Sequence, residues 1–218
     1  MRRLPTVLVP LAAASALAVT ACSSGRDGLG GPSAGAVTSM ARRADIASVG
    51  VIGDSITVGA EPALRSRLEG LGLDVLAVDA ANGRRIAVDG GVGSGVEAAA
   101  RVAAVEPDLW VVALGTNDVA NLDGPEAYAT AIDTMLAEVP DDVPVVWVDI
   151  YFDGAEDASD TFNTVLRERL AQRGNATAVD WATVADDDGV LRDGVHPGAD
   201  GNLVFAGRVA DGVAAWLG

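Results

Sequence analysis

Leu109-Trp110-Val111-Val112-Ala113-Leu114-Gly115-Thr116-Asn117-Asp118 is an unbroken apolar run of strand length that ends in a polar turn. No polar residue interrupts Leu109–Leu114, so the pattern leaves neither face of this strand for water. Strands of that kind belong to parallel sheets covered by helices on both sides. Outward from it the same pattern repeats. Ser48–Ile52, closed by Gly53, reads as a first strand and Val75–Val78 as a second; Pro144–Ile150 and Ala176–Val179 follow as the fourth and fifth. Helical signals fall between them. Ala63, Leu64, Leu68 and Leu71 recur at helical spacing over Glu61–Leu71, with Pro62 in the first turn. Ser94-Gly95-Val96-Glu97 fits a capping box that opens a helix to about Val105. Asp123-Gly124-Pro125 starts another, to about Glu138; Ser159–Arg173 is stopped by Gly174, and Asp200–Leu217 closes the chain. This alternation predicts an α/β domain of three layers, a flavodoxin-like five-stranded parallel sheet with helices on both faces. In such sheets the ligand crevice lies beyond the carboxyl ends of the strands.

The N-terminus reads differently. Arg2 and Arg3 precede an apolar stretch from Val7 to Val19, and small residues lead up to Cys22, the sole cysteine. That is the anatomy of a secretory signal peptide, too short for a spanning helix. Val19-Thr20-Ala21-Cys22 resembles the bacterial lipoprotein lipobox, which implies cleavage after residue 21 and lipidation of Cys22. An ordinary signal peptide with an incidental cysteine is the plainer reading. Residues 22–44 are rich in Gly, Ser and Ala without an apolar period and read as a flexible tether. The expected organisation is therefore a leader over 1–21, a lipidated tether over 22–44 and one domain over 45–218. It places the protein outside the cell, held to the outer face of a bacterial membrane by lipid.

Composition narrows the chemistry. All 15 basic residues are Arg, and 31 acidic residues oppose them, for a net charge of −16. Loss of Arg2 and Arg3 with a leader takes this to −18. Nucleic acid is excluded as an expected partner, because phosphate binding needs clustered cations. One Cys and one His exclude a disulfide framework and a Cys/His zinc site. Gly53–Gly59 is no phosphate loop, since no Lys follows the second Gly. Asp186-Asp187-Asp188-Gly189 lacks the flanking ligands of a calcium loop, with Val184 and Val195 at its first and last ligand positions, and reads as a solvated turn.

Four segments fall at predicted strand ends or before the last helix: Gly53-Asp54-Ser55-Ile56, Asn82-Gly83-Arg84-Arg85, Gly115-Thr116-Asn117-Asp118 and Asp193-Gly194-Val195-His196-Pro197. Together they supply the parts of an acyl-transfer site. Ser55 lies at a strand-to-helix turn, where a nucleophile is exposed beside a helix N-terminus. His196 carries the only imidazole, and Asp193, three residues earlier, is near enough to fix its tautomer. The N–H groups of Ser55 and Gly83 and the side-chain amide of Asn117 are candidate oxyanion donors. Asp54, Arg84, Arg85 and Asp118 are candidate substrate contacts, with Arg84 and Arg85 suited to an anionic group. Tyr151 and Phe152, after the fourth strand, are candidates for an acyl pocket or a cover for the core edge. Each residue also has a plainer reading: Ser55 as a helix N-cap, Asp54 and Gly83 as turn residues, Asn117 as a strand terminator, His196 as a surface loop residue and the arginines as surface charge. Only the catalytic reading accounts for all of them at one sheet edge.

These segments resemble the blocks of the GDSL/SGNH hydrolase family, with Ile56 where Leu is usual. The resemblance runs from Val51 to about Pro197. It implies Ser55 as nucleophile, His196 as general base and then acid, Asp193 as its orienting partner, and Gly83 and Asn117 as oxyanion donors. The α/β-hydrolase elbow fits less well, since Thr57 stands where its second Gly would be. The implied activity is hydrolysis of short-chain acyl esters by a monomer needing no metal or other cofactor. Val78-Asp79-Ala80-Ala81-Asn82-Gly83-Arg84 is similar to the second block of peptidoglycan O-acetyltransferase domains, so acetyl transfer to a cell-envelope glycan stays open. So does a non-catalytic envelope-binding module, which the intact Ser55, Asp193 and His196 set argues against.

Overall fold

The computed structural model describes residues 45–218; the expected leader, Cys22 and tether lie outside the described residues. Strands β1 (Ser48–Gly53), β2 (Asp74–Ala80), β3 (Leu109–Ala113), β4 (Val145–Val148) and β5 (Ala176–Val179) form one sheet in the order β2-β1-β3-β4-β5. Every neighbouring pair is parallel. Chain connection from β1 goes outward to β2 and then back across to β3. The order reverses between β1 and β3, and a crevice opens at their carboxyl ends.

Five long helices and two short ones flank this sheet among the described residues. α1 (Ser55–Gly70) and α7 (Ala199–Leu217) lie on one face, with the short α6 (Ala182–Ala185). α2 (Gly95–Ala103), α4 (Pro125–Leu136) and α5 (Glu156–Arg173) lie on the other. The short α3 (Thr116–Val119) follows β3 directly. Strand alternation decides which core each residue enters. Leu109, Val111 and Ala113 of β3 face α1 and α7, whereas Trp110 and Val112 face α2, α4 and α5. Both sets are buried, which is why the run carries no polar residue.

Local signals explain several boundaries. Ser94 and Glu97 form the expected capping box, with Glu97 N–H donating to Ser94 Oγ at 3.1 Å and Ser94 N–H to Glu97 Oε2 at 2.7 Å. Gly174 ends α5 in the left-handed conformation. α1 differs from expectation. It begins at Ser55 and not near Glu61, so Pro62 lies in its interior. The reason is Asp54, whose carboxylate caps the helix by accepting Ile56 N–H at 3.0 Å. Ile56, Thr57 and Ala60 are then buried in the added turn and a half. α5 likewise starts three residues before Ser159, and β4 is shorter than the apolar run Pro144–Ile150.

Candidate active site

The crevice at the ends of β1 and β3 gathers residues from four separate loops. Ser55 is the first residue of α1, immediately after the Asp54 cap. Its Oγ lies 2.9 Å from His196 Nε2, across a sequence separation of 141 residues. On the far side of the ring, His196 Nδ1 is 3.1 Å from Asp193 Oδ2 and 3.2 Å from Oδ1. Nucleophile, imidazole and carboxylate thus form a continuous chain of hydrogen-bond distances.

The loop that carries Asp193 and His196 is closed on itself. Asp193 Oδ1 accepts the N–H groups of His196 at 2.7 Å and Val195 at 3.2 Å. Arg192 N–H donates to His196 O at 2.9 Å, and Leu191 bridges to Pro197. The Asp193 carboxyl is held down at about 2, first by the His196 N–H and further by the ring and the Val195 N–H. It is ionised throughout the range in which an imidazole exchanges protons. Besides the Ser55 contact, Asp153 N–H, in the segment between β4 and α5, donates to Gly194 O at 2.9 Å.

The opposite wall is backed by buried side chains, with Asn117 itself half-buried and Gly83 exposed. Asn117, the second residue of α3, donates from Nδ2 to Arg84 O at 3.1 Å and to Asp54 Oδ2 at 3.3 Å. The chain reaches this position through Gly115, at φ +133, where any Cβ would collide with the Phe162 ring. Gly83 sits at φ +75 in the turn closed by Arg84 N–H to Ala81 O. The N–H groups of Ser55 and Gly83 have no acceptor among the described residues. They are free donors at the rim of the same crevice.

Three expected substrate contacts are placed elsewhere. Asp54 is 1% exposed and spends both oxygens, on Ile56 N–H and on the Asn117 amide. Burial pushes its carboxyl up to about 6, against the pull of the Ile56 N–H and of the His196 and Arg84 charges. Asp118 is also 1% exposed and accepts Ile86 N–H at 3.1 Å. Burial pushes it up to about 7, with the Ile86 N–H and Arg85 pulling it down and Asp54 adding repulsion. Arg84 is 2% exposed and its guanidinium is ion-paired with Asp79 at 2.8 Å. Each of the three has one partner brought from a distant part of the chain (Asn117 for Asp54, Gly53 O for Arg84, Ile86 N–H for Asp118), which spacing along the chain cannot reveal. Arg85 alone of the four is half-buried with no ion pair among the described residues. Tyr151 is half-buried and its hydroxyl donates to Asp186 at 2.5 Å, so the acidic turn has at least one partner.

Asp149, not singled out by sequence, anchors the start of the long connection from β5 to His196. It is buried at the end of β4, and its Oδ1 accepts Trp181 N–H at 2.7 Å and Ala182 N–H at 2.8 Å, capping α6. Arg167 pairs with its other oxygen. The only sequence signal was a carboxylate directly after an apolar strand.

A five-stranded parallel sheet with Ser, His and Asp gathered at its switch point defines a hydrolase or acyltransferase of the SGNH type. The model of the GDSL-like lipase/acylhydrolase family matches residues 51–204, and the chain belongs to that family. No curated protein matches the chain in sequence. Among solved structures, it is similar to the C-terminal catalytic domain of Streptococcus pneumoniae peptidoglycan O-acetyltransferase A, solved with a methylsulfonyl adduct. The TM-score is 0.60 at 21% identity, over 79% of this chain and 93% of that one. A lipolytic protein of the G-D-S-L family from Veillonella parvula gives 0.57 at 18% identity, over 75% and 96%. The periplasmic domain of a lipopolysaccharide acetyltransferase from Salmonella ser. Paratyphi A gives 0.53 at 8%, over 78% and 84%. At these identities the likeness is one of fold.

Proposed function

We propose that this protein is a serine esterase that hydrolyses short-chain acyl esters through an acyl-enzyme, without metal or other cofactor. The observation that carries the reading is the Ser55 Oγ–His196 Nε2 distance of 2.9 Å, with Nδ1 of the same ring 3.1 Å from Asp193. His196 Nε2 accepts the hydroxyl proton as Ser55 Oγ attacks the ester carbonyl. Asp193 holds the Nδ1–H and stabilises the imidazolium that forms. The carbonyl oxygen becomes an oxyanion facing the N–H groups of Ser55 and Gly83 and the Asn117 amide. One such donor contributes about 3 kcal/mol to the transition state. Of the two Asn117 bonds, the longer one, to Asp54, is the one an oxyanion takes over. Collapse expels the alcohol, which takes the proton from His196. Water then attacks the acyl-enzyme by the same route, releasing the acid and restoring Ser55. Arg85 is the residue suited to an anionic group on the substrate.

Acetyl transfer to a cell-envelope glycan is the second reading. The Val78–Arg84 segment and the likeness in fold to a peptidoglycan O-acetyltransferase domain favour it. The chemistry differs only in whether a sugar hydroxyl or water attacks the acyl-enzyme. Either activity fits a monomer lipidated at Cys22 on the outer face of the membrane, and Cys22→Ala is expected to leave the membrane fraction. A Cys22→Ala protein that stays there removes the anchor from the proposal.

Hydrolysis of a short-chain aryl ester by wild type and Ser55→Ala tests the main reading. The variant is expected to lose about a thousand-fold or more in rate. A variant as active as wild type overturns it. Adding a carbohydrate acceptor then separates the two outcomes, since transfer yields acetylated glycan at the expense of free acetate.

A further inference from the structure

We propose that Arg84 is the positioning residue of the oxyanion site, holding its three donors in register without touching substrate. This rests on Ser55 being the nucleophile. Each of the three donors is reached by a different part of Arg84. The Gly83 N–H lies in the turn that Arg84 N–H closes onto Ala81 O at 3.2 Å. Ser55 follows Asp54 and Gly53, and the carbonyl of Gly53 accepts Arg84 Nη1 at 3.3 Å as well as Ala81 N–H at 3.2 Å. The Asn117 amide is aimed by its 3.1 Å bond to Arg84 O. The guanidinium is held in turn by Asp79, through its backbone carbonyl and through Oδ1 at 2.8 Å. One side chain therefore cross-links the ends of β1 and β2, while its backbone carbonyl meets Asn117 in α3.

Stability alone is a poor reason for this arrangement. Arg84 is 2% exposed, and its Nε is buried with no hydrogen-bond partner. A buried ion pair can often be replaced by well-packed apolar residues at no loss of stability. What an apolar residue cannot do is bond two carbonyls and a carboxylate in a fixed plane. Preorganised donors are what an oxyanion site requires. Arg101 is the internal control: it also pairs with Asp79, at 2.6 Å, but is exposed and reaches neither Gly53 nor the Gly83 turn.

The test compares kcat, KM and inhibition by a short alkyl boronic acid, whose tetrahedral adduct on Ser55 places an oxygen at the oxyanion position. Each variant is assayed well below its unfolding temperature. Arg84→Ala is expected to lower kcat about a hundred-fold with KM within about two-fold, and to weaken boronate inhibition by a similar factor. Arg84→Lys, which keeps the charge but not the fork, is expected to lose about ten-fold in kcat. Arg101→Ala is expected to stay within about two-fold of wild type. If Arg84→Ala matches Arg101→Ala in kcat and boronate affinity, the proposal is overturned. It is equally overturned if the loss falls on KM alone, which would make Arg84 a substrate contact. Should Arg84→Ala not fold, Asp79→Asn loosens the same guanidinium without a cavity and must show the same pattern; wild-type values there overturn the proposal. An active Ser55→Ala would instead remove the underlying reading, so the two failures are distinguishable.

Discussion

Asp54, Arg84 and Asp118, around the Asn117 amide, are 1%, 2% and 1% exposed and bond between strand ends up to 63 residues apart. The Asp193 and His196 side chains are 47% and 34% exposed and bond mainly within their own loop. One wall of the crevice is thus a buried lattice of long-range bonds and the other an exposed, locally closed loop. The difference follows from what each must do. Oxyanion donors work by not reorganising as charge develops, so they belong on interior cross-links. An imidazole that takes a proton from Ser55 and returns it to a leaving group must meet substrate and water. Local bonds keep its direction while leaving it accessible.

Substitutions on the two walls should therefore fail in different ways. The largest effect is expected for Asn117→Ala, which removes a donor from the buried wall: kcat falls about 10²–10³-fold with little change in KM. A loss confined to KM would show that the amide binds ground-state substrate, and the contrast between the walls would lose its mechanistic meaning. Next is Asp149→Ala, which removes the carboxylate that accepts the Ala182 N–H and, alongside Val179 O, the Trp181 N–H. It is expected to cost about 2 kcal/mol of stability, read from urea unfolding, because the half-buried Ala182 N–H loses its acceptor and the buried Trp181 N–H keeps only Val179 O. If stability holds, the loop from β5 to His196 depends on something other than Asp149.

A third prediction concerns pH dependence. Asp118 is pushed up from 3.8 to about 7, so the folded protein retains a proton that the unfolded chain releases between those values. Stability from this group is present below about pH 4 and is lost as pH rises through about 7. Asp118→Asn keeps an oxygen for Ile86 N–H but cannot ionise. It is expected to match wild type near pH 4 and to exceed it near pH 8 in urea midpoint. An equal decline in both proteins would assign the pH dependence to Asp54 or other groups. Asp193 acts in the opposite sense: its stabilisation is present above 3.8 and lost as pH falls through about 2.

Much of the fold was legible because its signals are local. The five apolar runs, the Ser94–Glu97 capping box and the Gly174 stop each depend on residues within a few positions of one another. The family blocks were legible in the same way, and the Asp193–His196 contact needs only a three-residue turn. The early start of α1 was harder: its signal is the single cap Asp54, ahead of a turn containing Thr57 and Gly59 that lacks a clear apolar period.

By itself, then, the sequence determined the order of strands and helices, the placing of Ser55 and Asn117 at strand ends, and the pairing of Asp193 with His196. All of these follow from short-range sterics, hydrogen bonding and apolar periodicity. Only the tertiary structure decided that Ser55 meets His196, that Arg84 points inward to Asp79 and Gly53, that Asp54 and Asp118 are buried with raised carboxyls, and that Asp149 supports the far loop. Those are properties of burial and of partners brought together through space. A charged residue looks the same in a sequence whether it faces water or a strand end.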